Sequence, residues 1–143
     1  MRIHPKLNEI DDCLYRVAAR VLIVQAKKVL LIKEAAEGWW AVPGGGVDHG
    51  ETIEVAIMRE IEEELGAPAS EVSSDFRIVH YDIGNVVDAV PRMNLFFKAS
   101  VPEVSFKKTD HVSEWRWCTK DEFLQQELHP SYDKIVLSEV IWG

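Results

Sequence analysis

Residues 45–67 read GGVDHGETIEVAIMREIEEELGA. From Thr52 to Leu65, apolar residues recur every four positions, at Ile53, Ile57, Ile61 and Leu65, which predicts a helix with one buried stripe. Gly66 followed by Pro68 is a stop signal. Six glutamates lie between Glu51 and Glu64, and a glutamate run on a helix is ordinarily a solvated face. The helical period argues otherwise here. With Ile53 as origin and about 100° per residue, Ile57 falls at about 40°, Glu60 at about 340° and Glu64 at about 20°. Both carboxylates therefore project from the edge of the apolar stripe. Glu63 flanks them at about 280°, while Glu62, at about 180°, points to solvent.

Carboxylates four residues apart repel one another even when exposed. Beside Ile53 and Ile57 the cost rises unless a positive charge compensates. Arg59 neutralises one carboxylate, and a hard divalent cation suits the others, since Mg²⁺ prefers oxygen ligands. The helix face is thus expected to bind magnesium. Gly44, Gly45 and Gly46 stand just before it. Glycine lets the backbone approach a ligand closely, and a glycine-rich loop ahead of a helix suits phosphate.

Working outward, Tyr15 to Gln25 and Lys28 to Glu34 (KVLLIKE) read as paired strands joined by a tight turn at Ala26-Lys27. A short strand within Glu37 to Pro43 feeds the glycine loop. Further strands are expected at Asp75 to Asp82, Arg92 to Ser100 and Glu114 to Cys118, and helices at Lys120 to Glu127 and Tyr132 to Trp142. Strands outnumber helices, and the helices are spread along the chain. An α/β fold with a mixed sheet and helices on its faces follows, organised as one domain over residues 1–143. A length of 143 residues with 47% hydrophobic content supports one core.

Lys and Arg number 16 against 24 Asp and Glu, a net charge of −8. That balance repels a phosphate backbone, so no nucleic-acid duplex is expected as partner. No segment reaches the length of a membrane span, and Arg20 interrupts the apolar run Val17 to Val24. Residues 1–6 lack the apolar stretch of a signal peptide. Cys13 and Cys118 make no disulfide framework and read as core residues, so a reducing, cytoplasmic setting is expected.

Gly45, Glu51, Arg59, Glu60, Ile61, Glu63, Glu64 and Gly66 stand at the spacing of G-x5-E-x7-R-E-U-x-E-E-x-G-U, with U a bulky aliphatic. The stretch resembles the Nudix box, with all seven invariant letters present and only the last U, Ala67, smaller than the pattern. At residue usage near 7%, seven fixed matches arise by chance in roughly one window in 10⁸. Outside the box, Trp40-Ala41-Val42-Pro43-Gly44-Gly45 resembles the family's W-x-x-P-G-G approach. Glu114 to Trp117, with Asp121-Glu122-Phe123 after it, resembles its late strand and helix.

The resemblance implies an α/β/α sandwich that hydrolyses a nucleoside diphosphate linked to another group. It implies Glu60, Glu63, Glu64 and the Gly45 carbonyl as metal ligands for Mg²⁺, with Mn²⁺ as a substitute. Arg59 would orient a glutamate, and Glu51 would brace the loop. Glu63 is the first choice for general base and Glu60 the second, with Asp110 and Glu114 as distal candidates and His111 standing where relatives often carry a glutamate. Relatives often dimerise, so a homodimer is a further expectation.

For substrate binding, Arg16 and Arg20 share one strand face, which Lys33 extends, and suit phosphate contacts. Trp39 suits stacking on a base, Gly44 and Gly45 lie beside the phosphates, and Trp40 belongs to the core. Tyr81, Arg92 and Asn94 are further pocket candidates. Three functions stay open: a hydrolase of a nucleoside triphosphate or nucleotide sugar, a nucleotide sensor without catalysis, and an acidic domain that assembles through Trp142 and the last helix.

Overall fold

The computed structural model describes residues 15–35, 38–66, 71–82, 92–101, 106, 109–130 and 132–143, with the backbone alone for 71–82. Cys13 and Ala67 lie outside the described residues. The strands are β1 (Arg16–Leu22), β2 (Val24–Gln25), β3 (Lys28–Glu34), β4 (Trp40–Ala41), β5 (Gly44–Gly46), β6 (Glu71–Asp82), β7 (Arg92–Ser100) and β8 (Val112–Cys118). The helices are α1 (Ile53–Leu65), α2 (Lys120–Gln125) and α3 (Lys134–Trp142).

Two four-stranded sheets form where the sequence suggested one. The first has the order β5-β1-β7-β6 and is mixed: β1 runs parallel to β7, while β5 and β6 are antiparallel to their neighbours. The second is antiparallel and centres on β3, which pairs with β2, β4 and β8. The strand expected from Tyr15 to Gln25 breaks at Ile23, which is fully buried, and resumes as β2. Ala26 and Lys27 take positive φ angles of 48° and 61°, the geometry of a two-residue hairpin turn.

Alternation along the central strands builds two cores. Ala19, Val21, Leu30, Ile32 and Phe97 face α1, where Ile57, Ile61 and Leu65 complete the layer. Leu22, Val29, Leu31 and Phe96 face the other way, onto Phe123 of α2 and Leu137 and Ile141 of α3. The result is the expected α/β/α sandwich. Cys118 is buried in the second core. Trp40 is buried there too, with Arg116 stacked 4.5 Å from its ring centroid.

Helix α1 has defined ends. The Thr52 hydroxyl accepts from the Val55 amide, and Gly66 closes the helix at φ 66° with its N–H bonded to the Glu62 carbonyl. Helix α3 starts two residues later than the pattern indicated, because the Asp133 carboxylate caps the Val136 amide. No described helix is long and apolar enough to cross a membrane.

Candidate active site

The three glycines form a strand rather than a loop. Ala18, Ala19 and Arg20 of β1 pair with Gly46, Gly45 and Gly44 of β5. Gly44 adopts φ 135°, and a Cβ there would overlap the Ala19 carbonyl and lie 2.7 Å from the Arg20 Cα. A side chain at Gly45 would overlap the Glu60 carboxylate, and one at Gly46 the Arg16 guanidinium. Absent side chains thus let β5 fit between β1 and the acidic face of α1.

Arg59 organises the entrance of α1. Its Nε and Nη2 reach the two Glu51 carboxylate oxygens at 3.0 and 2.6 Å, a bidentate fork. Nη2 also donates to the Gly46 carbonyl at 3.1 Å, and Glu51 accepts from the Asp48 amide at 2.7 Å. Glu51 therefore joins loop and helix as the resemblance implied. Nη1 of Arg59 lies 2.8 Å from Glu60 and 3.5 Å from Glu63.

The three box glutamates differ in environment. Glu64 is buried, at 6% exposure, and its Oε1 accepts from the Gly44 amide at 2.6 Å. Its backbone carbonyl accepts from the Trp115 indole, which ties α1 to β8. Glu60 is half-buried against Gly45. Glu63 is exposed and flanks the pair.

Glu60, Glu64 and Gly44 line a cavity of about 330 Å³ together with Glu34, Ala35, Asp110 and His111. Asp110 and His111 are thus brought to the site. Glu114, Glu63 and Trp39 are not among the lining residues. Glu114 is exposed opposite Lys33 on the paired strands. Trp39 is half-buried and meets His129 edge-on, with ring centroids 5.1 Å apart.

Arg20 is 4% exposed, and its Nη1 donates to the Gly44 carbonyl at 3.0 Å and lies 3.6 Å from Glu34. Lys33 does not extend the Arg16–Arg20 face; its ammonium stands over the Trp40 ring. Adjacent strand residues point to opposite sides, so the approach of Glu34 to Arg20 turns Lys33 away. Asn94 is fully buried on β7, and Arg92 is half-buried at that strand's start. Tyr81 pairs with Met93 through its backbone, and its side chain lies outside the described residues. The Trp142 indole donates to the Lys27 carbonyl and its ring packs on Phe123.

Glu34 escaped the sequence reading. It closes the KVLLIKE strand, and one charge at a strand end is too common to mark a site.

Burial pushes Glu64 up to about 8, against the pull of the Gly44 amide and Arg20, with Glu60 and Glu34 adding to the rise. Burial also raises Glu60, and Arg59 opposes that rise. Glu51 is held at about 2 by the Arg59 hydrogen bonds. Among the described residues, no three His, Cys, Asp or Glu side chains converge closely enough to hold an ion in this arrangement. The donor chemistry fits a hard cation nonetheless. Glu34, Glu60, Glu64 and Asp110 bring carboxyl oxygens to one cavity, the donor type a hard cation takes, and Glu64 is buried there at 6% exposure.

The family model described as "NUDIX domain" matches residues 14–138. An RNA pyrophosphohydrolase of Wolbachia pipientis is 28% identical over 120 residues, covering 74% of this chain and 73% of that protein. A nucleoside triphosphatase NudI of Salmonella arizonae is 31% identical over 99 residues, covering 64% of this chain and 70% of its own. Among solved structures, a MutT NUDIX hydrolase from Burkholderia pseudomallei superposes with a TM-score of 0.71 at 24% identity, over 91% of this chain and 99% of that one.

Proposed function

The chain belongs to the NUDIX family, and on that footing we propose that it hydrolyses the diphosphate linkage of a nucleoside triphosphate or a nucleotide sugar, with Mg²⁺ as its cation. Nudix hydrolases act on nucleotide substrates and use divalent metal ions. The observation that carries the reading is the meeting of Glu60 and Glu64 with Gly44 around one cavity.

Glu60, Glu63, Glu64 and the Gly45 carbonyl are the groups that would hold the cation. When bound, Mg²⁺ offsets phosphate charge and makes a coordinated water more acidic. The chain's own residues do the rest. Arg59, fixed by Glu51, orients Glu60. Glu60 takes the proton of the attacking water, because it lines the cavity and Arg59 holds its Oε1 at 2.8 Å. Glu63, the first choice from the sequence, is exposed and is left with a ligand role. Gly44 and Gly45 leave room for phosphate oxygens beside the carboxylates.

Of the activities in its relatives' names, a nucleoside triphosphatase suits this chain better than an RNA pyrophosphohydrolase. A net charge of −8 repels an RNA backbone more than it repels a small nucleotide arriving with its cation. With this reading go a cytoplasmic setting and a small nucleotide, rather than a duplex or a membrane, as partner. A homodimer is compatible with it and is testable by sedimentation.

Incubation with a panel of nucleoside triphosphates and nucleotide sugars plus Mg²⁺ tests the proposal. Release of nucleoside monophosphate, pyrophosphate or phosphate is expected, and its loss in the Glu63→Gln, Glu64→Gln double variant. Full activity in that variant overturns the assignment. Saturable nucleotide binding without turnover would mark the protein as a sensor.

A further inference from the structure

The Arg20 side chain has a place in the fold that phosphate binding does not explain. It is 4% exposed and is absent from the cavity lining. Its Nη1 donates to the Gly44 carbonyl at 3.0 Å and lies 3.6 Å from Glu34 Oε1. Its Nε is buried and has no hydrogen-bond partner among the described residues, and its guanidinium stands 5.9 Å from the Tyr132 ring centroid. A desolvated cation with an unsatisfied donor is costly, so its retention at this point needs a reason.

Both polar groups of Gly44 are engaged in the same short path. Its carbonyl accepts from Arg20, and its amide donates to Glu64 at 2.6 Å. At φ 135°, with a Cβ barred by the Ala19 and Arg20 backbone, the position takes only glycine, so the hydrogen bonds to Arg20 and Glu64 are what hold it in place. Arg20 belongs to β1 of the mixed sheet and Glu34 to β3 of the antiparallel sheet, so their contact also joins the two sheets at the cavity wall that Glu34 lines.

We propose that Arg20 is a positioning residue: it clamps the Gly44 carbonyl and Glu34, two groups of the cavity wall, and so holds the glycine strand where its amide fixes Glu64. The assignment rests on the hydrolase reading for its kinetic consequence but not for its structural one. Arg20 never touches the substrate. It acts through Gly44, on the carboxylate that Gly44 holds.

Two readouts on the whole chain test this. The first is steady-state hydrolysis of the best nucleotide of the panel with Mg²⁺, for Arg20→Met, Arg20→Lys and Glu34→Gln. Arg20→Met should lower kcat about tenfold to a hundredfold, as misplacement of a reacting group does. Its KM should stay within about twofold, because no substrate contact is lost. Arg20→Lys should recover part of kcat, since an ammonium reaches one acceptor but does not span two as the guanidinium does. Glu34→Gln should show a smaller fall of the same kind.

The second readout is amide hydrogen exchange in the metal-free protein. In Arg20→Met the Gly44 amide should exchange about tenfold faster, while the Leu30 amide, bonded to the Ile23 carbonyl, keeps its protection. A raised KM with unchanged kcat would make Arg20 a substrate contact and overturn the proposal. Equal loss of protection at Gly44 and Leu30 would make it a general stabiliser and also overturn it. If Arg20→Met does not fold, Glu34→Gln carries both readouts. If the wild-type chain hydrolyses nothing, the functional reading fails while exchange at Gly44 still decides the role of Arg20.

Discussion

The Gly44 amide donates to Glu64 Oε1 across 2.6 Å, joining the glycine strand to the acidic face of α1. Either partner alone has an ordinary interpretation. Glycines punctuate turns, and glutamates decorate helices. Their contact places a buried carboxylate beside backbone that has no side chain to obstruct a ligand.

Replacing Gly44 or Gly45 by alanine should give opposite profiles. At Gly44 a positive φ and backbone overlap make alanine strained, and a loss of about 1–3 kcal/mol is expected in urea denaturation. At Gly45 the new methyl meets the end of the Glu60 side chain, which is able to move. Stability should change by less than about 1 kcal/mol there, while displacement of Glu60 lowers kcat about a hundredfold. Equal effects of the two variants in both assays would contradict the separation.

Glu51 gives the fold a pH dependence. Arg59 holds its carboxyl at about 2, below the unfolded value of about 4.3. The unfolded chain therefore takes up the proton first as pH falls. The pair's contribution is present above the unfolded pKa and is lost as pH falls toward 2. Glu51→Gln should destabilise the protein at about pH 7, and the gap to wild type should narrow by about pH 3. Urea midpoints at the two pH values check it, and a gap that widens in acid would refute it.

Glu64 has the opposite sign. Its folded pKa is raised to about 8, so the metal-free folded state keeps a proton that the unfolded chain releases near pH 4. That contribution is complete below about pH 4 and is lost as pH rises through about 8. Glu64→Gln keeps an acceptor for the Gly44 amide without a buried charge. It should melt about 2–4 °C above metal-free wild type at about pH 8. It should also lose the stabilisation that Mg²⁺ confers on wild type, since only the ionised carboxylate binds a cation. A variant that melts lower than metal-free wild type at that pH and still responds to Mg²⁺ would contradict this.

The parts of the fold with a side-chain period were legible in the sequence. Helix α1 carries a four-residue apolar repeat that matches the buried positions Ile57, Ile61 and Leu65. β5 was not legible, because three glycines have no alternation and are held by close approach to β1. The division into two sheets was also hidden, since the parallel pairing of β1 with β7 joins segments far apart in the chain. At the site, the helical period brought Glu60 and Glu64 together. Strand alternation put Arg16 and Arg20 on one face but could not show what lay against it. Arg20 meets Gly44 and Glu34 there, and Arg16 lies over Gly46.

Manganese titration followed by electron paramagnetic resonance tests the cation site most directly. Wild-type protein should take up Mn²⁺ saturably, and Glu60→Gln with Glu64→Gln should weaken that uptake by at least about tenfold. No saturable uptake, or uptake that the two substitutions leave unchanged, would show that this carboxylate cluster is not where the cation binds.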